Sequence, residues 1–592
     1  MQAAPDHRPL PPLLVLIPLA CAAIAVPALL AFNIPPSATF LNQAVALGGW
    51  GALSAVMAHH AHVRLRAASG AGPLLWALAL MAAAACASML FCGLPPPLGL
   101  SAIGILLATL WVTSMAAAMR STAASRTSFM AVCTALLLAG ALSLVVGFVQ
   151  YFAPQGADGT WIALAATPGR IGGNLRQPNH LSSLLLFSAI ALLWLYGDTR
   201  LRGQTGARVL VPVLWTALML GIVLTGSRTG AVCTLLLAAW GLVDRRLPRE
   251  VRLLLWTAPL LYAALWFGMD YWAHHGSTQV FGGESQFKRS DISSSRFGIW
   301  ANTLSLIRMH PWFGVGWGEF NFAWTLTPFP GRPSAFFDHT HNLPLQLLVE
   351  MGLPFGSLAI CLLLASLWLA FDRVRRDSSP DAGMVRCALV MVLTMAIHSQ
   401  LEYPLWYAYF LLPTAYLWGL CLGRPPVAGA TTADEPAMRD LPRIALLVAP
   451  WLLMAGSACA VVDYLRVAEI FSPGERAGTL AQRIAAGQES LFFAHHADYA
   501  EATTAENPVD ALAAYRRSTH YLLDARLMMS WAIALEASGD VDRARHVAQR
   551  LREFKNPQSD DWFAACDRPP GPQGLPFQCL PPSRELGFER FR

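Results

Sequence analysis

The stretch from Asp338 to Gly352 reads DHTHNLPLQLLVEMG. It sets His339, His341 and Asn342 directly before an apolar run. Imidazole titrates near neutral pH, so a histidine in such a place is suited to take a proton from a hydroxyl. Asp338, His339 and His341 could also offer donors to zinc, but a spacing of i, i+1 and i+3 without a further Glu or Cys fits no usual zinc pattern. No metal or other cofactor is expected. His341 is the candidate general base, and His339 and Asn342 are candidate substrate-contacting groups beside it.

Four other groups place polar residues at the mouth of an apolar run. GRIGGNLRQPNHLSSLL, Gly169 to Leu185, holds Arg176, Gln177, Asn179 and His180. Its glycines permit a tight, irregular path. Asn179 is a good helix N-cap after a segment closed by Pro178, so capping and ligand contact are both open to it. TGSRTGAV, Thr225 to Val232, holds Arg228. An arginine at membrane depth is costly and needs a partner. It either snorkels to headgroups or grips a phosphate, whose oxygens match the guanidinium fork.

SSSRFGIWANTLSLIRMHPWFGVGWGEF, Ser293 to Phe320, places Arg296 before an amphipathic helix and ends in a glycine–aromatic turn. That turn reads either as a sugar-binding groove or as a packed interfacial loop. HSQLEYPLWYAYFLLP, His398 to Pro413, contains Glu402 and Tyr403. An aromatic belt accounts for Trp406, Tyr407 and Tyr409. It does not account for His398 or Glu402.

The elements that must position these groups are apolar. Of 592 residues, 55% are hydrophobic and 13% charged, where soluble domains carry about 25% charged. The expected fold is an all-α polytopic membrane protein of about thirteen transmembrane helices. Spans are expected near 13–32, 42–58, 73–92, 97–118, 128–152, 180–197, 208–225, 229–243, 253–270, 346–371, 386–398, 404–422 and 444–463. No cleavable signal peptide is expected, because the first run continues into others.

Arginine sets the orientation. Nineteen arginines, among them Arg8, Arg120, Arg246, Arg373 and Arg424, fall in connections on the side of the N-terminus. The short connections of the other side hold Arg170, Arg176 and Arg228. The positive-inside rule puts the N-terminus in the cytoplasm. The loops 154–179, 271–345 and 398–403 then face the opposite side, the periplasm of a bacterium, and so does the tail. The net charge of +6 rests on arginine, with Lys288 and Lys555 the two lysines. It reads as topology, and no nucleic-acid partner is expected.

The organisation expected is a transmembrane domain over 1–463 and a periplasmic helical domain over 464–592. Within the latter, residues 511–554 show helical periodicity, a Gly-Asp turn, and helical periodicity again, in the manner of a tetratricopeptide hairpin. The linker 423–440 has a disordered composition. Nine cysteines lie in or beside apolar spans and read as small buried side chains. Cys566 and Cys579 flank a polar loop and suggest a disulfide, which needs an oxidising compartment.

DHTHNLPLQLLVEMGLPFG resembles the hallmark of the superfamily of O-antigen ligases, O-antigen polymerases and protein O-oligosaccharyltransferases. SRFGIWANTLSLIRMHPWFGVGWGEF resembles the start of the same domain. NLRQPNHLSSLL, HSQLEYPLWYAYFLLP and DYLRVAEIF with its helical tail are similar to the PglL-type protein O-oligosaccharyltransferases. The resemblance covers roughly residues 165–592 and implies a GT-C-like fold. It implies a multi-pass enzyme of the bacterial inner membrane that moves a glycan en bloc from undecaprenyl diphosphate to serine or threonine of a periplasmic protein such as pilin. The transfer it implies inverts the anomeric carbon and needs no metal. It assigns catalysis to His341, Arg228 and Arg296, and substrate contact to Arg176, Gln177, Asn179, His339, Asn342, Glu402 and Tyr403. A ligase acting on lipid A core is the nearest alternative, ahead of a polymerase. A lipid-linked glycan transporter stands further off, since transporters place their ionisable residues near the midplane.

Overall fold

A computed structural model of the chain describes residues 13–61, 70–198, 200–276, 279–283, 290–329, 331–425, 441–569 and 574–592. Most of the linker 423–440 and Arg8, Arg64, Arg66 and Lys288 lie outside the described residues. The described elements are helical, with helices at all thirteen expected positions. Eight are long and apolar enough to cross a membrane, and the pair Arg249–Trp256 and Ala258–His275 makes a ninth, bent by 46°. Leu13–Leu29, Arg228–Val243, Ala382–His398 and Ala408–Leu422 are shorter apolar helices. This is a multi-pass membrane protein with eight or nine full-length spans by length and composition.

Several expected elements differ in detail. The first apolar run is interrupted by a π turn at Cys21–Ala25. The run expected over 253–270 starts earlier and bends at Thr257, next to Pro259, whose ring cannot continue the preceding turn. The first helix expected in the tail is broken. Leu512–Ser518 stops, and Ala525–Ala537 restarts at Asp524, whose Oδ1 accepts the Leu527 N–H at 2.8 Å. The second half of the expected hairpin stands, with Gly539 at φ +88° in the turn before Val541–Glu553.

The chain divides into two compact units, each built from three stretches. The first holds 1–76, 108–289 and 363–459. Its centre is helix Pro178–Asp198, of which 94% of the apolar window is buried, against 17–67% for the other long spans. Small residues let the neighbours approach, as helices in lipid require. A Cβ on Gly140 would lie 1.9 Å from Ser188 Oγ, and one on Gly230 would lie 2.3 Å from Ser182 Oγ. Both glycines press on the same central helix.

The second unit holds 77–107, 290–362 and 460–592. Its core joins Phe320, Phe322 and Trp324 to Tyr515, Trp531, Leu551 and Phe591 of the tail. Polar pairs are sealed into it. Glu319 lies 2.8 Å from His520, and Arg332 Nε lies 2.9 Å from Glu553 while its guanidinium covers the Trp324 and Phe554 rings. Cys566 and Cys579 form a disulfide.

His546 is buried, with Nε2 2.8 Å from the Leu326 carbonyl. Burial pushes its imidazole down to about 4, and burial does the same to His496. The unfolded chain takes up these protons near pH 6.5, and the folded chain does so near 4. Stability that is complete above pH 6.5 is therefore lost as pH falls toward 4. Hydrogen exchange on the full chain should show faster exchange of 541–553 at pH 5 than at pH 7.5, after correction for intrinsic rates. Equal protection at both values would contradict neutral, buried histidines.

Candidate active site

In the first unit the site is built on two adjoining helix starts. The segment before Pro178 is irregular backbone, and every turn of it is tied down. Buried Gln150 donates to the carbonyls of Ala163 and Gly173 at 2.6 and 3.1 Å. Its Oε1 accepts from Gly172 and Gly173 N–H at 3.2 and 2.9 Å. Asn174 accepts from Ala163 N–H at 2.9 Å and donates to the Leu29 and Trp161 carbonyls at 2.6 and 2.9 Å. Arg176 sits at φ +57°. Its guanidinium donates to the carbonyls of Ala31 and Ala38.

The helix then begins at Pro178, not after it. Gln177 is the cap, since its Oε1 accepts the His180 N–H at 2.8 Å. The expectation that Asn179 might cap is corrected. Pro178 takes the first helical position, where a missing N–H costs nothing, and this leaves the Asn179 side chain available. Its Nδ2 donates to Glu402 Oε1 at 3.0 Å. Glu402 is buried. Tyr403, one residue on, stacks on Tyr407 at 6.2 Å, and Tyr407 meets the His180 ring edge-on at 4.6 Å. Behind them Ser183 Oγ lies 2.7 Å from His398 Nδ1. The motifs QPNH and HSQLEY thus form one polar cluster.

Arg228 heads the second helix start. Ser227 caps Arg228–Val243 through the Gly230 N–H at 3.2 Å. The preceding turn is bonded to the first irregular segment. Ile171 N–H donates to the Leu224 carbonyl at 3.2 Å, and Arg170 Nε donates to the Thr225 carbonyl at 2.7 Å. With Gly230 pressed on Ser182, the two helices begin side by side.

The second unit holds Arg296, His339, His341 and Asn342. Helix Leu343–Arg376 is broken at Gly352, with φ 74° and ψ 171°. The break frees carbonyls, and the glycine–aromatic turn caps them. Val315 N–H donates to Val349 O at 2.8 Å and Gly316 N–H to Glu350 O at 3.1 Å, while Leu353 N–H donates back to Pro311 O at 2.7 Å. A Cβ on Gly314 would lie 2.4 Å from Val349 O, and one on Gly352 would lie 2.4 Å from Trp312 O. Of the two readings of HPWFGVGWGEF, the packed loop describes its glycines. Trp312 and Phe313 stay exposed.

At the start of that helix Asn342 is the cap, its Oδ1 accepting from Leu345 N–H at 3.0 Å. His341 stands just before it in the left-handed region, at φ 55°. Thr340 fixes the bend. Its N–H donates to Gln346 Oε1 at 2.8 Å and its hydroxyl to the Asn342 carbonyl at 2.8 Å. Gln346 in turn donates to buried Glu350 at 2.8 Å. His339 Nδ1 lies 3.0 Å from Asp338 Oδ1. Crowding works to raise the Asp338 carboxyl, but its side chain keeps 52% of its surface. The His339 imidazole prevails and holds it below the ordinary carboxylate range. Trp300 Nε1 donates to the Thr340 carbonyl at 2.9 Å. Arg296, half-buried, lies one helical turn before Trp300 and so on the same face of Ser290–Met309.

Residues 212–361 match the family described as O-antigen ligase. Residues 386–563 match the C-terminal region of virulence factor membrane-bound polymerases, and residues 171–196 match the protein glycosylation ligases. Successive segments of the chain are thus similar to the O-antigen ligases, to the membrane-bound polymerases and, over residues 171–196, to the protein glycosylation ligases. Among curated proteins it is similar to a general O-oligosaccharyltransferase of Acinetobacter baylyi, at 29% identity over 277 residues, 45% of this chain and 46% of the relative. It is also similar to a ComP-specific O-oligosaccharyltransferase of that organism, at 28% identity over 262 residues, 42% of this chain and 44% of the relative. The chain thus spans about half the length of the curated relatives it matches.

The protein-glycosylation match begins at Ile171, the residue bonded to Leu224, and runs through the buried helix. Two of the groups that fix the segment before Pro178, Gln150 and Asn174, were absent from the sequence-based candidates. Gln150 had a signal, a polar side chain inside an apolar span. Asn174 had none beyond its place in NLRQPNH. His180 and His398 line the cluster as well. Removing the donor to a buried carboxylate costs about 1–3 kcal/mol. Asn179→Ala should therefore lower the melting temperature of the purified chain, and adding Glu402→Ala to it should lower it by less than Glu402→Ala does in the wild type. Additive losses would show that the two side chains are not coupled.

Proposed function

We propose that this chain is an O-linked oligosaccharyltransferase, moving a glycan from undecaprenyl diphosphate to serine or threonine of a periplasmic protein such as pilin. What supports it most is one juxtaposition. The segment matching the protein glycosylation ligases carries Asn179, which bonds to Glu402 of the separate HSQLEY motif. The two curated relatives are both O-oligosaccharyltransferases by name.

In this reading the acceptor hydroxyl oxygen attacks the anomeric carbon opposite the diphosphate. The bond from that carbon to the phosphate oxygen breaks, and its electron pair stays on the diphosphate. The hydroxyl proton passes to the His341 imidazole, and the anomeric configuration inverts. Negative charge grows on the leaving diphosphate, and fixed cations stabilise it most in the transition state. Arg228 and Arg296 take that role. Arg176, whose guanidinium already holds two carbonyls, keeps the donor-side segment in shape. Gln177, Asn179, Glu402 and Tyr403 position donor or acceptor, and His339 and Asn342 orient His341.

The same reading places the chain in the bacterial inner membrane, N-terminus in the cytoplasm and the motif-bearing connections in the periplasm. The Cys566–Cys579 disulfide supports that side for the tail.

The test is reconstitution with undecaprenyl-diphosphate glycan and chelator, offering pilin or lipid A core. Transfer to a pilin serine or threonine is expected. Transfer to lipid A core alone would make the chain an O-antigen ligase and overturn the protein-acceptor assignment. His341→Asn is the variant to use, because asparagine tolerates left-handed backbone and alanine does not. Loss of an aligned general base costs roughly 10²–10⁴-fold in rate. Transfer by His341→Asn at near the wild-type rate would remove His341 from the chemistry.

A further inference from the structure

The first unit contains a cavity of about 370 Å³ that no residue of the motifs above lines. It lies where helices Pro96–Met119, Leu343–Arg376 and Ala408–Leu422 end. Its charged lining is Arg120, Arg373, Arg376 and Arg424 against Asp372 and Asp377. Both carboxylates are already engaged. Asp377 lies 2.6 Å from Arg120, and Asp372 lies 3.0 Å from Arg376. Arg373 donates to the Leu422 carbonyl, a neutral partner. Arg424 is exposed, and neither it nor Arg373 has a carboxylate within ion-pair distance among the described residues.

Arg120 points the same way. It is 1% exposed. Its Nη2 bonds to Asp377 and to Ser379 Oγ at 2.9 Å, but its Nη1 is buried without a hydrogen bond, 3.7 Å from Asp381 Oδ2. An unused guanidinium N–H in a closed site costs about 1–3 kcal/mol. Closed off from solvent, Nη1 acts on the cavity by its charge and not by contact.

Opposing this are the helix C-termini, each worth roughly half a negative charge within its last turn. One of them is capped by Arg373 itself. The balance favours a singly charged ligand held by forked hydrogen bonds over a polyphosphate. Two of these three helices are long and apolar enough to cross a membrane, so the cavity at their ends is at the level of headgroup phosphates. We propose that it binds a phosphodiester, presented by an anionic phospholipid of the adjoining leaflet. The site is independent of the transferase reading, and none of its residues belongs to the proposed reaction.

The test is native mass spectrometry of the full chain in detergent with added phosphatidylglycerol, alongside inorganic phosphate. Wild type should retain phosphatidylglycerol, and Arg424→Gln should weaken retention about tenfold. Arg375→Gln, an exposed arginine outside the cavity, should change nothing. The double variant Arg373→Gln/Arg424→Gln should lose the lipid, and if it does not fold, Arg424→Gln alone still decides. Competition by millimolar phosphate, with no lipid retained, would keep the phosphate chemistry but assign a soluble source. Retention of phosphatidylglycerol by Arg424→Gln equal to wild type, or no binding of either probe by wild type, would overturn the proposal.

Discussion

Irregular backbone survives inside a membrane bundle only where each freed N–H and C=O finds a partner, because lipid offers none. The rest of this structure depends on that constraint. Each motif that carries polar chemistry interrupts a helix or precedes one, and each interruption is closed by dedicated groups. Gln150 and Asn174 close the segment before Pro178. The backbone N–H groups of Val315 and Gly316 close the break at Gly352. Asn342 and Ser227 close helix starts. Gly169 of GRIGG and Gly314 of GVGWG follow directly. A carbonyl 2.4 Å from where a Cβ would sit leaves room for no other residue.

Positions of helices were largely legible in the sequence, and their ends were not. Long apolar runs over 73–92 or 128–152 fix a helix by composition, because nothing else buries such a run in lipid. The break at Gly352 was hidden within a run read as one span over 346–371. Its cue, Gly-Leu-Pro, is local, but its stabilisation comes from Val315 and Gly316, more than thirty residues away. The same blindness to distance explains the cap before Pro178. Asn179 looks like a cap by residue type, and only the partner at Glu402 shows that its side chain is used elsewhere. The tail break at Asp524 was missed because residues on both sides keep helical periodicity.

The candidate residues lie in two sets. Gln177, Asn179, Glu402 and Tyr403 gather in one cluster, with Arg228 on the adjoining helix start, and Arg296 shares the DHTH neighbourhood with His339, His341 and Asn342. Type and spacing single them out as candidates because an ionisable group at the mouth of an apolar run has few bland explanations. Arg176 shows the limit of that rule. Its charge is real, but two carbonyls occupy its donors, so the residue serves the loop before it serves a ligand.

Charge accumulates at helix starts, and the arrangement has a physical direction. Pro178 and Arg228 open two helices that lie against each other, so their N-terminal dipoles point the same way. Each adds roughly half a positive charge. Such ends attract anions even without side chains. An arginine placed at one of them should be repelled by the dipole, by a few tenths of a kcal/mol or more. Arg228 stands at such an end, in a helix capped by Ser227 and pressed close by Gly230. An anion brought to that point would meet both the guanidinium and the two dipoles. In the proposed reading that anion is a lipid diphosphate, whose need for fixed positive charge is greatest as the sugar leaves. Arg228 and the two dipoles would then favour the transition state over the ground state, which is where binding contributes to rate.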